Sequence, residues 1–218
     1  MARQPTRGHS RTGRPASTSL DEIVDVTLEL GLEAFTVAAV AERLGIAEGT
    51  VYNYVRRRED LYSLAAARVV EQLDVRVDAE DWVGYVDEIS RRVLDLAVRH
   101  PGLRTYFFWG PYQPSTVSIF ETLIQGVQAR LPYLTEDEAF VLISRPTILN
   151  LEYMDDAFMG PAAAWLRCAL LTGLDALLRA GERPPTEGRS WRSLLRFADS
   201  TPSGPASPAT RTPARCGR

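Results

Sequence analysis

An apolar period of about 3.6 residues runs through this chain from residue 20 to about residue 180, and no convincing strand pattern interrupts it. Leu20, Ile23, Val24, Thr27 and Leu28 fall at i, i+3, i+4, i+7 and i+8, which is one face of a helix. Ser19, with Glu22 three residues on, supplies a capping box at its start, and Gly31 supplies its stop. Thr36 caps a second, short helix with Val37, Val40, Ala41 and Leu44 turned inward, closed by Gly45. A third short helix is expected from about Ala47 to Val55. A fourth starts at Arg57 or Arg58 and carries Leu61, Leu64, Ala65, Val69 and Leu73. Three compact helices with a glycine turn between the second and third make a helix-turn-helix arrangement.

The pattern continues beyond residue 78. Trp82, Tyr85, Val86, Ile89, Val93, Leu96, Ala97 and His100 form one stripe, and Val117, Phe120, Leu123, Ile124, Val127 and Leu131 form another. A helix over 136–158 contains Pro146, which has no N–H to give the carbonyl of Leu142. The helix over 161–180 is apolar around most of its circumference, with Trp165, Cys168, Leu171, Leu174 and Leu178 on different sides. A helix buried on one side only does not need this. It is expected to pack on its own core with one face and on a second subunit with the other. The fold class is all-α, an N-terminal three-helix helix-turn-helix domain followed by a larger helical domain. The expected division is a basic arm at 1–17, the first domain at 18–66, the second at 67–199 and a disordered tail at 200–218.

Charge separates these parts. The chain carries 25 cations, every one an arginine, against 28 acids, a formal net charge of −3. Residues 1–18 hold Arg3, Arg7, Arg11 and Arg14 and no acid, and residues 201–218 hold Arg211, Arg215 and Arg218 and no acid. A basic arm on an acidic body directs the arm at a polyanion. The arginine-bearing N-terminus lacks an apolar segment after it, and Arg167 breaks the longest apolar run, so a cytoplasmic protein with no membrane span is expected. Cys168 and Cys216 read as free thiols of a reducing compartment. His9 and His100 are the two histidines, and the chain has no Ser/His/Asp or Cys/His arrangement, metal cluster or phosphate loop. No enzyme, metal or cofactor is expected.

The stretch Glu48–Asp60, EGTVYNYVRRRED, has two faces on a helical wheel. Ala47, Val51, Tyr54 and Val55 cluster on one side, which suits packing. Gly49, Tyr52 and Asn53 cluster on the other, flanked by Glu48 and Thr50. Such a surface suits a DNA major groove. Gly49 admits close backbone approach, Asn53 offers the donor and acceptor that adenine's edge needs, and Tyr52 offers a ring for a thymine methyl. Glu48 can accept from a cytosine amino group. Arg56, Arg57 and Arg58 lie beyond the helix end, where they would grip phosphates and fix register.

The segment TVAAVAERLGIAEGTVYNYVRRREDLYSL resembles the DNA-binding domain of the tetracycline-repressor (TetR) family of bacterial transcriptional regulators, over roughly residues 18–66. The resemblance rests on Phe35-Thr36, Ala41, Leu44-Gly45, Gly49-Thr50, Tyr52, Tyr54, Arg58 and Leu61. It implies base contacts from Glu48, Gly49, Tyr52 and Asn53, and phosphate contacts from Thr36, Thr50, Tyr54 and Arg58. Where some members carry an arginine early in the second helix, this chain has Ala38. Gly13-Arg14-Pro15 is similar to the core of minor-groove AT-hooks, with Arg11 nearby, so the arm is a candidate minor-groove reader. Beyond residue 78 the resemblance is one of layout, implying a homodimer joined through the 161–180 helix and the one before it. It also implies a small-molecule effector that releases a palindromic operator. Trp82, Tyr85, Tyr106, Phe107, Trp109, Tyr112, Tyr153 and Met154 are the candidate lining of an effector pocket. Two other readings remain open, a helical interaction module with a vestigial helix-turn-helix and an activator of the same fold.

Overall fold

A computed structural model describes residues 18–154, 159–186 and 188–198. Among these residues the chain is helical, in the order α1 (Leu20–Leu30), α2 (Val37–Leu44), α3 (Glu48–Val51), α4 (Arg58–Val70), α5 (Trp82–Arg99), α6 (Leu103–Trp109), α7 (Pro114–Gln128), α8 (Glu136–Glu152) and α9 (Met159–Arg179). A 3-10 turn at Trp191–Leu194 follows. The Arg11 and Arg14 arm, the Cys216 tail and the expected last turn of the 136–158 helix lie outside the described residues.

The first helices begin and end for local reasons. The Ser19 hydroxyl accepts from the Glu22 amide at 3.1 Å and the Ser19 amide donates to the Glu22 carboxylate at 2.9 Å, a complete capping box. The Thr36 hydroxyl accepts from the Ala39 amide at 3.1 Å. Gly45 ends α2 at φ 67°, ψ 30°, the left-handed conformation that turns the chain directly into α3. Helix α3 is shorter than the expected 47–55. After Val51 the chain tightens, with Asn53 donating to Thr50 and Tyr54 to Val51, both three residues back. Ala47 sits at the N-cap, exposed, rather than on the inner face.

Helix α4 fastens this small unit together. The Arg58 guanidinium donates to the Phe35 carbonyl at 3.1 and 3.3 Å and lies 4.3 Å from the centre of the Phe35 ring. Near the other end, Arg68 bridges to Asp21 at 2.6 Å and Asp25 at 3.4 Å on α1. Leu61, Ala65 and Val69 of the same helix are fully buried. The same helix reaches the larger domain. The Tyr62 hydroxyl donates to Gly102 at 2.8 Å, and the Ser63 hydroxyl donates to Pro111 at 2.6 Å and accepts from Gln113 at 3.0 Å. The expected boundary at 66/67 therefore falls inside one continuous helix.

In the larger domain α8 is central, packed against α5, α7 and α9. A buried polar cluster joins three of these. Arg167 of α9, 7% exposed, donates to Asp87 of α5 and to Asn150 of α8, each at 2.8 Å. The Ser90 and Thr147 hydroxyls meet at 3.0 Å beside it. After α9 the chain returns as a strap over α6–α8. Trp191 stacks on Phe140 at 5.3 Å, its amide donates to Asp137 at 2.6 Å, and Arg192 pairs with Glu121 and Glu136. Tyr112 and residues 196–198 exchange backbone hydrogen bonds of 2.6 and 2.9 Å, giving the isolated bridge Tyr112–Phe197. Gly110 permits this approach, since at its φ of 63° a Cβ would stand 2.9 Å from the Arg196 carbonyl.

Two substitutions probe the packing. Gly126 of α7 lies flat against the Tyr85 phenol, which is 3% exposed and has the Arg130 guanidinium over its ring at 4.3 Å. Gly126→Ala gains about 1 kcal/mol of helix propensity, but overpacking costs about 1–3 kcal/mol, so a net loss of about 1 kcal/mol is expected in urea denaturation. A more stable variant would mean that the Tyr85 ring moves aside freely. Arg58→Ala removes a stacked, hydrogen-bonded guanidinium and is expected to lower stability by about 1–2 kcal/mol, whereas exposed Arg56→Ala stays within about 0.5 kcal/mol. Equal melting temperatures for the two would refute the staple.

Candidate nucleic-acid interface and ligand cavity

The α2–α3 unit presents one convex surface. Glu48, Gly49, Tyr52 and Asn53 are exposed together, with Tyr52 at 45%, while Val51 and Val55 behind them are fully buried. A Cβ on Gly49 would meet nothing within 4 Å, so the absence of a side chain there leaves backbone open to an approaching partner rather than relieving internal crowding. Thr36 at the start of α2 and half-buried Thr50 flank the patch. The Thr36 hydroxyl uses a lone pair for capping, which leaves its proton for an external acceptor.

Two expected phosphate contacts are engaged within the fold. The Tyr54 hydroxyl donates to the carbonyl of Thr18, and Arg58 is held on Phe35. Tyr54 thus fixes the point where the N-terminal arm joins the domain, directly behind α3. Arg56 and Arg57 are exposed, and the Asp60 carboxylate accepts from both of their backbone amides, at 3.1 and 3.2 Å, which shapes the turn that carries them. Arg57 also pairs with Asp60 at 3.3 Å, a surface contact of small energy. Several acids of the domain are already paired inside it: Asp21 and Asp25 with Arg68, Glu29 with Arg43, and Asp60 with Arg57. Their pairing moderates the negative field beside the exposed patch.

The larger domain contains a cavity of about 190 Å³ between α4, α5, α6, α7, α8 and the strap. Of the candidate aromatics, Phe107 and Tyr112 line it. The other six candidates, Met154 among them, lie off this wall. Trp82 is buried at the start of α5 with its indole donating to Asp175 at 2.9 Å, and Tyr85 packs on Gly126. Tyr106 is fully buried beside α4, its hydroxyl bonded to Thr116 at 2.9 Å and to the Gln113 amide at 3.0 Å. Trp109 is 65% exposed, and half-buried Tyr153 and Met154 lie past the end of α8, off the cavity wall. On one helix turn each residue points about 100° from the last, so a run of aromatics cannot share a face.

The wall is completed by Phe108, from the same aromatic run, and by residues outside it. The latter include Phe120 and Phe140, the strap's Leu194 and Leu195, and Val70 and Leu73 from the end of α4 and just beyond it. Its polar groups are Thr147, whose hydroxyl donates to Ile143 at 2.7 Å, Ser144, and Tyr112, whose hydroxyl donates to Phe107 at 2.8 Å. Burial pushes the Tyr112 phenol up to about 12, so it stays neutral. Exposed Arg145 stands at the rim. A polar pair amid the apolar run of α8, Ser144 with Thr147, was the available signal for this wall.

The outer side of α9 is exposed and built of small and apolar residues: Ala164, Trp165, Cys168, Ala169, Thr172, Gly173, Ala176 and Leu177. Trp165 is 70% and Leu177 54% exposed. These positions repeat at helical spacing, giving a continuous stripe opposite the buried Ala163, Arg167, Leu171 and Leu178. No described helix is long and apolar enough to cross a membrane.

A profile of bacterial regulatory proteins of the tetR family matches residues 20–65, the segment from α1 into α4. The chain is 30% identical over 107 residues to the HTH-type transcriptional repressor DrrR1 of Streptomyces coeruleorubidus, spanning 46% of this chain and 38% of that protein. The chain thus matches well under half the length of this relative. Its fold is similar to that of a TetR variant from Acinetobacter baumannii AYE crystallised in complex with minocycline. The TM-score is 0.58 at 15% identity, covering 72% of this chain and 94% of the other. Residues 20–65 thus match the DNA-binding domain of tetR-family regulatory proteins, and the chain as a whole has a TetR-like fold.

Proposed function

We propose that this protein is a DNA-binding transcriptional repressor of the cytoplasm that binds a palindromic operator as a homodimer and is released by a small molecule. The observation that carries this reading is the double attachment of α4, fastened by Arg58 and Arg68 to the α1–α3 unit and lining the cavity with Val70. A ligand that shifts the end of α4 displaces the reading surface with it. Repression itself is an activity of the relative DrrR1, and effector binding is suggested by the minocycline complex of the structural neighbour.

In this reading Glu48, Gly49, Tyr52 and Asn53 meet base edges, and Thr36, Thr50, Arg56 and Arg57 meet phosphates. Residues 18–66 form the reading domain and 67–199 the sensing and dimerising domain, with α4 shared between them. The arm, leaving beside α3 at Thr18, carries Arg11 and Arg14 toward the neighbouring minor groove. The exposed stripe of α9 pairs with its symmetry mate, placing two reading surfaces about 34–36 Å apart in successive major grooves. Effector binding favours a dimer with the wrong spacing, through a coupling of about 1–3 kcal/mol.

Footprinting on the DNA flanking the protein's own gene, and a genome-wide binding selection, are expected to yield a protected palindrome. Tyr52→Ala with Asn53→Ala should weaken that site by about 30-fold or more at unchanged melting temperature, as the loss of about 1–3 kcal/mol for each of two base contacts requires. Arg56→Glu with Arg57→Glu should weaken all DNA together and flatten the salt dependence. Binding indifferent to the first pair but abolished by the second would remove Tyr52 and Asn53 as readers. Binding indifferent to both would favour the interaction-module reading. For the dimer, Leu177→Glu in the α9 stripe is expected to give monomers in light scattering, and a persisting dimer would place the interface elsewhere.

A further inference from the structure

The cavity has one property that its apolar wall does not explain. The Ser144 hydroxyl oxygen is buried, yet it has no hydrogen-bond partner, the one such side-chain atom among the described residues. Buried polar atoms without partners are rare, because desolvation without a compensating bond is costly. The neighbouring hydroxyls on the same wall, Thr147 and Tyr112, are both satisfied. Ser144 is a wall residue of the cavity; its hydroxyl oxygen is closed off in the rotamer present, and rotation about χ1 turns it toward a bound molecule.

We propose that the cavity takes a neutral, largely aromatic or aliphatic molecule of about ten non-hydrogen atoms, with a single hydroxyl or carbonyl that hydrogen-bonds Ser144. This rests on the effector reading above and narrows it to a ligand class. Size follows from the volume: about 190 Å³, somewhat more than the roughly 150 Å³ apolar cavity that holds benzene. Charge follows from the wall. It contains no carboxylate to pair with a cation, and its one cation, Arg145, stands exposed at the rim rather than beside the buried interior. The number of polar groups follows from the one unsatisfied atom. Phe107, Phe108, Phe120 and Phe140 suit a flat ring system, and the strap's Leu194 and Leu195 close the site.

The test uses the full-length protein without DNA and three matched probes, 1-naphthol, naphthalene and 1-naphthoate, with binding read by fluorescence and calorimetry. The wild-type protein is expected to bind 1-naphthol about fivefold tighter than naphthalene, and 1-naphthoate at least about tenfold more weakly than 1-naphthol. Ser144→Ala, a small change on a helix, should reverse the first preference, since naphthalene then leaves nothing unpaired while naphthol does. Ile119→Trp, which fills the cavity from α7, should abolish binding of both neutral probes with helical content unchanged. Equal binding of naphthol and naphthalene, or a preference that survives Ser144→Ala, overturns the role of Ser144. Tighter binding of 1-naphthoate overturns the neutral class and makes Arg145 the selecting group. No binding by any probe overturns the assignment. Operator affinity is measured separately: a probe that binds as described but leaves DNA binding unchanged overturns the effector reading and leaves the site standing.

Discussion

Helix α4 is the element on which the rest of the structure depends. Its thirteen residues are held at one end by a guanidinium stacked on Phe35, and toward the other by a double ion pair onto α1. The exposed ion pairs contribute little individually, since solvent screens them. The weight lies in the buried Leu61, Ala65 and Val69 and in the Arg58 staple, which satisfies the Phe35 carbonyl just before α2 begins. Because Tyr62 and Ser63 of the same helix bond to the α5–α6 and α6–α7 turns, α4 is tied both to the α1–α3 unit and to the helices that follow it.

The second constraint is the buried Arg167 cluster. A guanidinium at 7% exposure carries a large desolvation penalty, offset here by Asp87 and Asn150 at 2.8 Å. Such a cluster adds little net stability compared with a well-packed apolar core. It does specify which face of α9 turns inward, since any other rotation would bury a charge without partners. The exposed stripe of Trp165, Ala169, Thr172, Gly173 and Leu177 is thereby presented outward as one surface.

The C-terminal strap has a parallel role at the cavity. Stacking of Trp191 on Phe140, the Asp137 carboxylate on its amide and the two carboxylates around Arg192 hold residues 190–198 across α7 and α8. Without the strap, the loss of Leu194 and Leu195 would leave one wall of the cavity open to water.

The amino-acid order alone determined where the helices start and stop, because caps and stops act over three or four residues: Ser19 with Glu22, Thr36 with Ala39, and Gly45 at positive φ. It also determined that Gly49, Tyr52 and Asn53 face away from Val51 and Val55, since helical spacing alone separates the two faces. What only the tertiary structure decided depends on partners far along the chain. In the sequence Arg58 and the Tyr54 hydroxyl read as phosphate contacts, but Phe35 and Thr18, 23 and 36 residues away, engage their donors. The cavity wall draws on α4 through α8 and on the strap, so of the aromatic run near residue 107 only Phe107, Phe108 and Tyr112 meet it, while Tyr106 is buried elsewhere and Trp109 is exposed. Local periodicity records which side of a helix is apolar. Which apolar side meets a neighbour and which meets a space is set when the helices pack.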